Sequence, residues 1–421
     1  MPDPGPSLHL SDAHVTGQVD LRADVLIVGS GLVGSALACA LGQCDVDIVV
    51  VDAVDAVTVT SAAYDGRASA IALSSRRLLE AVGVWQHVAE TATPMLDIRV
   101  SEGGSPMFLH YDHEAVGGEP FGHMVENRIL RSALFARMDV LPSVRLLAPA
   151  RVAHLERTEA GVAARLADGG RVRARLAVAA DGRGSQIRES AGIGVTRWNY
   201  AQVGIVCTVA HQRPHNNIAH EHFLPAGPFA ILPITGNRSS IVWTERADLA
   251  PMIMALDDGD FTAELAKRFG DFLGTVAVEG RRWCYPLSLQ FARTATAERL
   301  ALVGDAYHGM HPIAGQGLNM GFRDVAALAE AVVDCARFGG DIGGGDVLTR
   351  YQQWRRFDNH LMLAMTDGLN RLFSNDVGPI KLARNLGLAT VNQIPPLKSL
   401  FMRHAMGVVG ELPRLMRGEA L

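Results

Sequence analysis

The sequence predicts an α/β fold, a Rossmann-like domain interleaved with a mostly antiparallel β-sheet and followed by a C-terminal helical segment. Three observations predict it. A buried-strand run, Val25 to Val28, turns at Gly29-Ser30-Gly31 into a helix of small residues. Two later apolar runs, Leu176 to Ala180 and Leu300 to Val303, deliver Asp181-Gly182 and Gly304-Asp305 at their carboxyl ends, where α/β sheets place ligands. Between these runs, Tyr200 to Arg246 reads as antiparallel strands separated by Pro and Gly turns.

Length and composition allow this reading and exclude others. At 421 residues the chain can bury a large core and divide into two interleaved domains. Apolar residues make up 48% and charged residues 20%, ordinary for a globular enzyme, and a net charge of −5 with no basic stripe excludes a nucleic-acid binder. Five scattered cysteines, Cys39, Cys44, Cys207, Cys284 and Cys335, fit reduced thiols rather than a disulfide framework or a zinc site. "HEH" at His220 to His222 is the nearest approach to a metal motif, and no metal is expected. Residues 1–22 lack the features of a signal or transit peptide and are expected to be a flexible tail. Val25 to Cys44 is uncharged and long enough to imitate a membrane span, but Gly29, Gly31 and Gly34 after a β-branched run read as strand, turn and helix.

In the first turn, Gly29 permits the tight bend, Gly31 lets backbone approach a pyrophosphate, and Gly34 lets helix and strand pack closely. The helix start offers unpaired N–H groups and partial positive charge to phosphate. A second strand, "VDIVVVDA", carries Asp52, eighteen positions beyond Gly34, where an acid accepts hydrogen bonds from an adenosine ribose. These features indicate a dinucleotide and leave FAD and NAD unseparated.

The stretch "LVGDAYHGMHPIAGQGLNMGF", Leu302 to Phe322, separates them. Asp305 is placed to bind a ribityl hydroxyl, Pro312 fixes the backbone, and Gly315-Gln316-Gly317 leads into a helix beginning near Leu318 or Asn319. A helix start there would hold the negative charge that a reduced flavin develops. A nicotinamide dehydrogenase has no need of this second anion site. Arg67 in "YDGRASAIALS" and Arg128 in "HMVENRILRSAL" are further candidates to meet phosphate or the flavin edge, and Ser185 and Arg188 follow the Asp181-Gly182 turn.

Taken in order, G-x-G-x-x-G, D-G, and G-D-A-x-H with P-x-x-G-Q-G-x-N-x-G resemble the flavoprotein aromatic hydroxylases of the para-hydroxybenzoate hydroxylase fold. Within that group "DGRASAIALS", "MVENRILRSAL", "HPIAGQGLNMGFRDVAALAE" and the C-terminal "PPLKSLFMRHAMGVVGELPRLMRG" resemble the ubiquinone-biosynthesis hydroxylases, and the likeness spans residues 23 to about 418. The resemblance implies an FAD-binding domain of glutathione-reductase type at 23–93, 122–197 and 283–345, a substrate-binding sheet domain at 94–121 and 198–282, and C-terminal helices at 346–421. It implies that Gly29, Gly31, Gly34 and Asp52 hold the ADP half of FAD and that Arg67 and Arg128 contact the cofactor. Asp181 and Gly182 would lie near its pyrophosphate, Gly304 and Asp305 at the ribitol, and Pro312, Gly315, Gln316, Gly317, Leu318 and Asn319 along the ring. Tyr307 and Gly309 depart from the family's usual residues, which puts the local shape beside the flavin in doubt.

The implied activity is monooxygenation: ring hydroxylation of a polyprenylated phenol in ubiquinone biosynthesis through a C4a-hydroperoxyflavin, with NAD(P)H, NADPH preferred, as donor and O₂ as co-substrate. No unambiguous base is visible; His222, His308 and His311 are candidates for proton handling, with Pro312 beside the reacting ring. Phe223, Leu232, Pro233, Trp243, Pro286 and Leu287 are candidates to line the substrate pocket. Leu397, Leu400, Phe401, His404 and Val408 fall on one helical face, with Lys398, Arg403, Arg414 and Arg417 nearby, which fits an interfacial helix, a subunit contact or packing alike. The expected partners are a lipophilic phenol or quinone precursor, with other ubiquinone-synthesis proteins, a membrane surface and a second copy as open alternatives. The expected location is the bacterial cytoplasm or the periphery of the inner membrane. Competing readings are an FAD hydroxylase of another phenol, a polyprenyl reductase, and a non-catalytic flavoprotein scaffold.

Overall fold

The computed structural model describes residues 20–61, 67–102, 108–309, 315–356 and 394–421. At its centre is a six-stranded sheet in the order Thr296–Ala297, Leu300–Leu302, Leu176–Ala179, Val25–Val28, Ile48–Val51, Val144–Leu147, the last five parallel. The runs "VLIV" and "IVVV" are apolar without alternation because both faces of these strands are buried. Helix Leu32–Gly42 follows the first of them, so the segment that imitates a membrane span is a strand, a turn and a helix. Among the described residues no helix is long and apolar enough to cross a membrane.

Asp20–Arg22 departs from the expected tail. It forms a strand paired parallel with Arg171–Arg173, the edge of a four-stranded sheet completed by Gly161–Leu166 and Val152–Thr158. The backbone hydrogen bonds of an open sheet edge outweigh the polar composition that marks these residues as loose.

The second large element is an eight-stranded sheet in the order His308–Gly309, Val276–Ala292, Val195–His211, Arg238–Arg246, Gly227–Ile234, Ile218–Leu224, Asp97–Glu102, Phe108–Asp112, antiparallel except where Ile218–Leu224 meets Asp97–Glu102. Strand Val276–Ala292 runs unbroken through the expected domain boundary at 282/283.

The two faces of this sheet differ. On the outer face Ile205, Cys207, Phe229, Ile231, Ile241 and Trp243 pack against Phe261, Leu265 and Phe269 of helix Asp258–Phe269. Burying each of these large side chains contributes about 1.5–3 kcal/mol. That helix is well punctuated: the Asp257 carboxylate accepts the Asp260 N–H at 2.8 Å, acids fill its first turn, and Lys267 and Arg268 its last. On the inner face Ala219, Leu232 and Ile234 pack with Met95, Met124, Ala68 and Ala70. The last four belong to a three-stranded sheet of Ala68–Ala72, Gly122–Glu126 and Thr93–Met95. The inner face is the one turned toward the dinucleotide turns, because strand Ala68–Ala72 is held in turn by helix Gln316–Arg337.

At the C-terminus, helix Pro395–Ala405 buries Met402 and Met406 against Leu73 and Phe121. The apolar face expected there is divided. Leu400 is exposed, Phe401 and His404 are half-buried, Val408 joins the packed cluster, and the Leu397 side chain lies outside the description. Of the four basic residues expected nearby, Arg414 pairs with Glu330 and Asp334, Arg417 pairs with Glu419 at the surface, Lys398 is half-buried and Arg403 is exposed.

Candidate active site and cofactor cradle

The first turn is closed by backbone meeting backbone. Gly29 has φ +106°, and a Cβ there would lie 2.4 Å from the Ala180 carbonyl oxygen. A Cβ on Gly34 would lie 2.0 Å from the Gly29 oxygen. Neither position can hold a side chain without moving the turn. Gly31 is the opposite case: among the described residues no atom lies within 4 Å of where its Cβ would stand. It is also the N-cap of helix Leu32–Gly42, with no side chain capping the helix's free N–H groups. Open space beside an uncapped helix start is what a phosphate requires. Asp52 stands at the end of strand Ile48–Val51, its carboxylate accepting the Ser30 N–H at 2.6 Å, the Ser30 hydroxyl at 2.8 Å and the Val54 N–H at 2.8 Å. Three bonds fix the acid against the turn and leave one lone-pair site for a ligand hydroxyl.

The second and third turns leave neighbouring strands of the same sheet. Gly304, φ +57°, follows Leu300–Leu302, and Asp181-Gly182 follows Leu176–Ala179. Val33, on the first turn of helix Leu32–Gly42, occupies the space that side chains would need at Gly304 (3.1 Å) and Gly321 (2.5 Å). The two glycine-rich turns, more than 270 positions apart in the chain, therefore pack through one valine.

Helix Gln316–Arg337 starts at Gly315, φ +62°, again without a side-chain cap, and among the described residues nothing lies within 4 Å of a Cβ at Gly317. Asn319 does not face this space. Its amide accepts the Ala72 N–H at 2.9 Å and donates to the Ala70 carbonyl at 2.8 Å, pinning the helix start to the three-stranded sheet. At the Asp181 turn, one carboxylate oxygen accepts the Ile187 N–H at 3.3 Å while the other is buried without a partner, and Gly182, φ +81°, is open. Ser185 caps the short helix after it, and the buried Arg188 guanidinium donates to the Ala306 and Arg183 carbonyls, both at 2.9 Å, tying this turn to the Gly304 turn. Arg183 itself donates to Asp305 at 3.1 Å and to Ser288 at 3.0 Å. These features fit FAD: two uncapped helix starts, open space at Gly31, Gly182 and Gly317, and an orphaned Asp181 oxygen.

Several expected site residues stand elsewhere. Arg128 donates to Glu126 at 2.8 Å, and Arg67 is exposed beside it, its carbonyl accepting the Asn127 N–H at 3.0 Å. His308 is buried, with its Nε2 2.6 Å from Asp324, whose other oxygen accepts from Arg355 at 2.8 Å. Burial pushes the Asp324 carboxyl up, but the charges and hydrogen bonds of His308 and Arg355 outweigh it and hold the group below the usual carboxylate range. The same carboxylate accepts the Gly304 N–H at 3.0 Å. His308 thus braces the turn from behind and does not face a substrate. His311 and Pro312 lie outside the described residues.

Strand register divides the expected pocket residues. Phe223, Leu232 and Leu287 take the inner face, the last against Gly204. His222, Pro233, Trp243 and Pro286 take the outer face, opposite Phe229, Ser239, Ile205 and Val203 respectively. Trp243 is core, with the Arg268 guanidinium 4.2 Å from its ring centre, and His222 is held by Ser101 at 2.6 Å, with burial depressing its pKa. A strand sends successive side chains to opposite faces, so Glu221 turns away from His220 and His222, whose rings stack on the outer face with centres 5.9 Å apart. Tyr307 is fully buried against Phe291, ring centres 5.2 Å apart, and a Cβ at Gly309 would lie 2.9 Å from Arg183 Nε. Both departures from the family pattern are packing choices on the protein's side of the turn. Sequence reasoning missed Asp324, Arg355 and Arg183; the first two have no local signal, and the third directly follows the Asp181-Gly182 pair.

Two converging helix starts over one parallel sheet, with an antiparallel sheet laid beside them, define a flavoprotein that binds an extended dinucleotide. Residues 22–357 match the FAD binding domain model. The chain is 57% identical over 410 residues to the ubiquinone hydroxylase UbiL of Rhodospirillum rubrum, covering 97% of this chain and 95% of that protein. It is 35% identical over 387 residues to the 3-demethoxyubiquinol 3-hydroxylase of Escherichia coli, covering 91% and 98%. The solved p-nitrophenol 4-monooxygenase of Pseudomonas putida superposes with a TM-score of 0.78 over 94% of this chain and 100% of that one; at 18% identity it shows the fold alone. The chain belongs to this family of FAD-dependent monooxygenases.

Proposed function

We propose that this protein hydroxylates the aromatic ring of a polyprenylated phenol on the route to ubiquinone, using FAD, NAD(P)H and O₂. The observation that carries the reading is the meeting of the two glycine turns at Val33, which brings both uncapped helix starts to one ligand, in a chain with 57% identity to a ubiquinone hydroxylase. Bound FAD takes electrons from the nicotinamide donor and activates O₂ for transfer of one oxygen atom to the ring. The chain's own part is to bind, orient and exclude water.

In this reading Gly29, Gly31, Gly34 and Asp52 hold the ADP half. Asp181 and Gly182 border the pyrophosphate, and Gly304 and Asp305 hold the ribityl chain. The backbone N–H groups of Gln316, Gly317 and Leu318, at the helix start opened by Gly315, meet the ring edge that gains negative charge on reduction. Asn319 positions that helix start. Arg67, exposed at the start of strand Ala68–Ala72, is the arginine proposed to join the set, whereas Arg128 is engaged by Glu126. The phenol enters between the ring and the inner sheet face, past Phe223, Leu232 and Leu287. NADPH is the proposed donor. Contact with a membrane surface through the exposed Leu400 and Ile394, at the periphery of the bacterial inner membrane, is the proposed route by which a lipid precursor arrives.

Purified protein incubated with NADPH, a prenylated phenol and ¹⁸O₂ tests the reading. A yellow protein whose NADPH oxidation rises with the phenol and whose product carries label in the ring is the expected result. Yellow protein with neither stimulation nor label would assign it to a scaffold or a reductase, and protein that takes up no FAD would overturn the reading of both turns.

A further inference from the structure

The inner face of the eight-stranded sheet carries a group that the cofactor turns do not use. In strand Ile218–Leu224, His220 and Leu224 pack outward near Phe272, and Ala219 packs inward with Leu232, Ile98, Ala68 and Ala70. Alternation turns Glu221 inward beside Ala219, two residues and about 7 Å along the strand. Ala70 is the residue whose carbonyl Asn319 grips, so Glu221 stands one step beyond a packed contact that leads to the start of helix Gln316–Arg337.

The surroundings of Glu221 are apolar. Its neighbours across the sheet are Val100 and Ala230, with Phe223 next on its own face. The facing three-stranded sheet packs Ala68, Ala70, Met95 and Met124 around the neighbouring inward residues Ala219 and Leu232. Among the inward residues of the flanking strands (Ile98, Val100 and Glu102; Pro228, Ala230 and Leu232) Glu102 is the one ionisable group, and it stands opposite Phe223. Among the described residues, Glu221 has no hydrogen bond or ion pair to its carboxyl, yet the residue keeps part of its surface accessible. Burial pushes its pKa up to about 7. A carboxyl left in apolar surroundings without a partner is destabilising unless a ligand or water completes it, and such groups concentrate at functional sites.

We propose that Glu221 is the residue of the sheet that meets the hydroxyl of the substrate phenol and accepts its proton. The assignment rests on the function proposed above. The phenol O–H bond breaks, the proton passes to a carboxylate oxygen, and the electron pair stays on the phenolate oxygen, enriching the ortho and para carbons that receive the new oxygen. Nothing is oxidised or reduced in this step. The group the sequence offers for it was hidden between two more conspicuous histidines.

The test compares wild type, E221Q and E221L, each loaded with FAD, in NADPH oxidation and hydroxylation of a short-chain prenylated phenol from pH 5.5 to 9. Wild-type kcat/KM should rise through about pH 7, the carboxylate form being the acceptor. E221Q, which keeps the size and one hydrogen bond, should bind the phenol with a similar KM, lose the inflection near pH 7 and fall about 100-fold in kcat. E221L should also raise KM about tenfold, the loss of a hydrogen bond. FAD content and the phenol-induced change in the flavin spectrum of E221Q show that the variant is folded and occupied. Wild-type hydroxylation matched by E221L, with the same KM and pH profile, overturns the assignment alone. Wild type that fails to hydroxylate the phenol overturns the function and the assignment together.

Discussion

The cofactor turns and the inner sheet face both prepare space for a ligand, and they do it by opposite means. At the turns, residue identity is enforced by backbone a few ångströms away: a methyl group at Gly34 would sit 2.0 Å from a carbonyl oxygen, whereas at Gly31 it would meet nothing. On the sheet, identity is enforced by register, and residues adjacent in sequence serve different faces. Glu221 points inward while His220 and His222 point outward. A local steric rule announces itself in sequence. A rule set by which strand lies alongside does not.

The largest effect should come from behind the second turn. Asp324 is fully buried and accepts from His308, Arg355 and the Gly304 N–H. Asp324→Ala removes the buried carboxylate that pairs with His308 and Arg355, and we expect a loss of about 3–5 kcal/mol in unfolding free energy, read by denaturant titration. Because the same carboxylate holds Gly304, FAD retention should fall with stability. A stable D324A protein that keeps its flavin would show that the Gly304 turn does not depend on this carboxylate.

The next effect separates the glycines. Gly34→Ala forces the turn to move and should cost about 1–3 kcal/mol together with the bound flavin. Gly31→Ala should leave the melting temperature of the apoprotein unchanged, since the added methyl has room, and still weaken FAD binding by tenfold or more (~1.4 kcal/mol or above), because the methyl stands where phosphate approaches. Flavin absorbance after gel filtration and apoprotein melting measure the two quantities. Equal behaviour of the two variants would break the distinction between a glycine needed by the fold and one needed by the ligand.

The sheet face should reveal itself through pH. Burial raises the Glu221 carboxyl from 4.5 to about 7, so between those values the folded protein keeps a proton that the unfolded chain has released. Stability therefore falls as pH rises through that window and stays lower above it. E221Q removes the penalty: it should match wild type near pH 4 and exceed it by about 1–3 kcal/mol at pH 8, the lower part of that range applying as far as solvent reaches the carboxyl. His123 and His220 work in the other direction. Burial lowers them to about 4 and 3, so the unfolded chain takes up protons first as pH falls below 6.5, and stability is lost on the acid side down to those values. Melting temperature against pH for the two proteins checks both signs.

Much of the cofactor cradle was legible for a physical reason. Gly29, Asp52, Asp181 and Gly304 follow the ends of short apolar strands and Gly34 lies in the first turn of the helix after one, so each is constrained by atoms that the strand-turn-helix pattern already brings close. The buried strands read as unbroken apolar runs, and the helix starts as glycines. What escaped depends on partners distant in sequence. Asn319 looks like part of the ring-binding helix start, but Ala70 and Ala72, nearly 250 positions earlier, claim its amide. His308 looks like a proton carrier because it follows Gly304-Asp305; Asp324, on the next helix, turns its ring into the core. Trp243 and His222 are attractive pocket residues by type, and strand register alone sends them to the outer face. The polar composition of Asp20–Arg22 conceals a strand because its pairing partner lies 150 positions on.

The smallest predicted effect bears on the one cofactor arginine that the two kinds of rule dispute. Arg128 lies in a motif shared with flavin hydroxylases, yet its guanidinium donates to Glu126 at 2.8 Å and is about half exposed, at 47%. An ion pair whose arginine is half exposed contributes about 0–1 kcal/mol. Arg128→Ala should therefore shift the apoprotein's unfolding free energy by less than about 1 kcal/mol. If Glu126 is its working partner, the dissociation constant for FAD, measured by quenching of flavin fluorescence, should change less than about threefold (~0.6 kcal/mol). A loss of tenfold or more in affinity, at unchanged stability, would mean that the cofactor's phosphates outbid the Glu126 carboxylate, as doubly charged groups can for a forked guanidinium. The arginine would then belong with the turns, where sequence type is a sound guide, and its pairing with Glu126 would be the resting arrangement of a side chain that moves when FAD arrives.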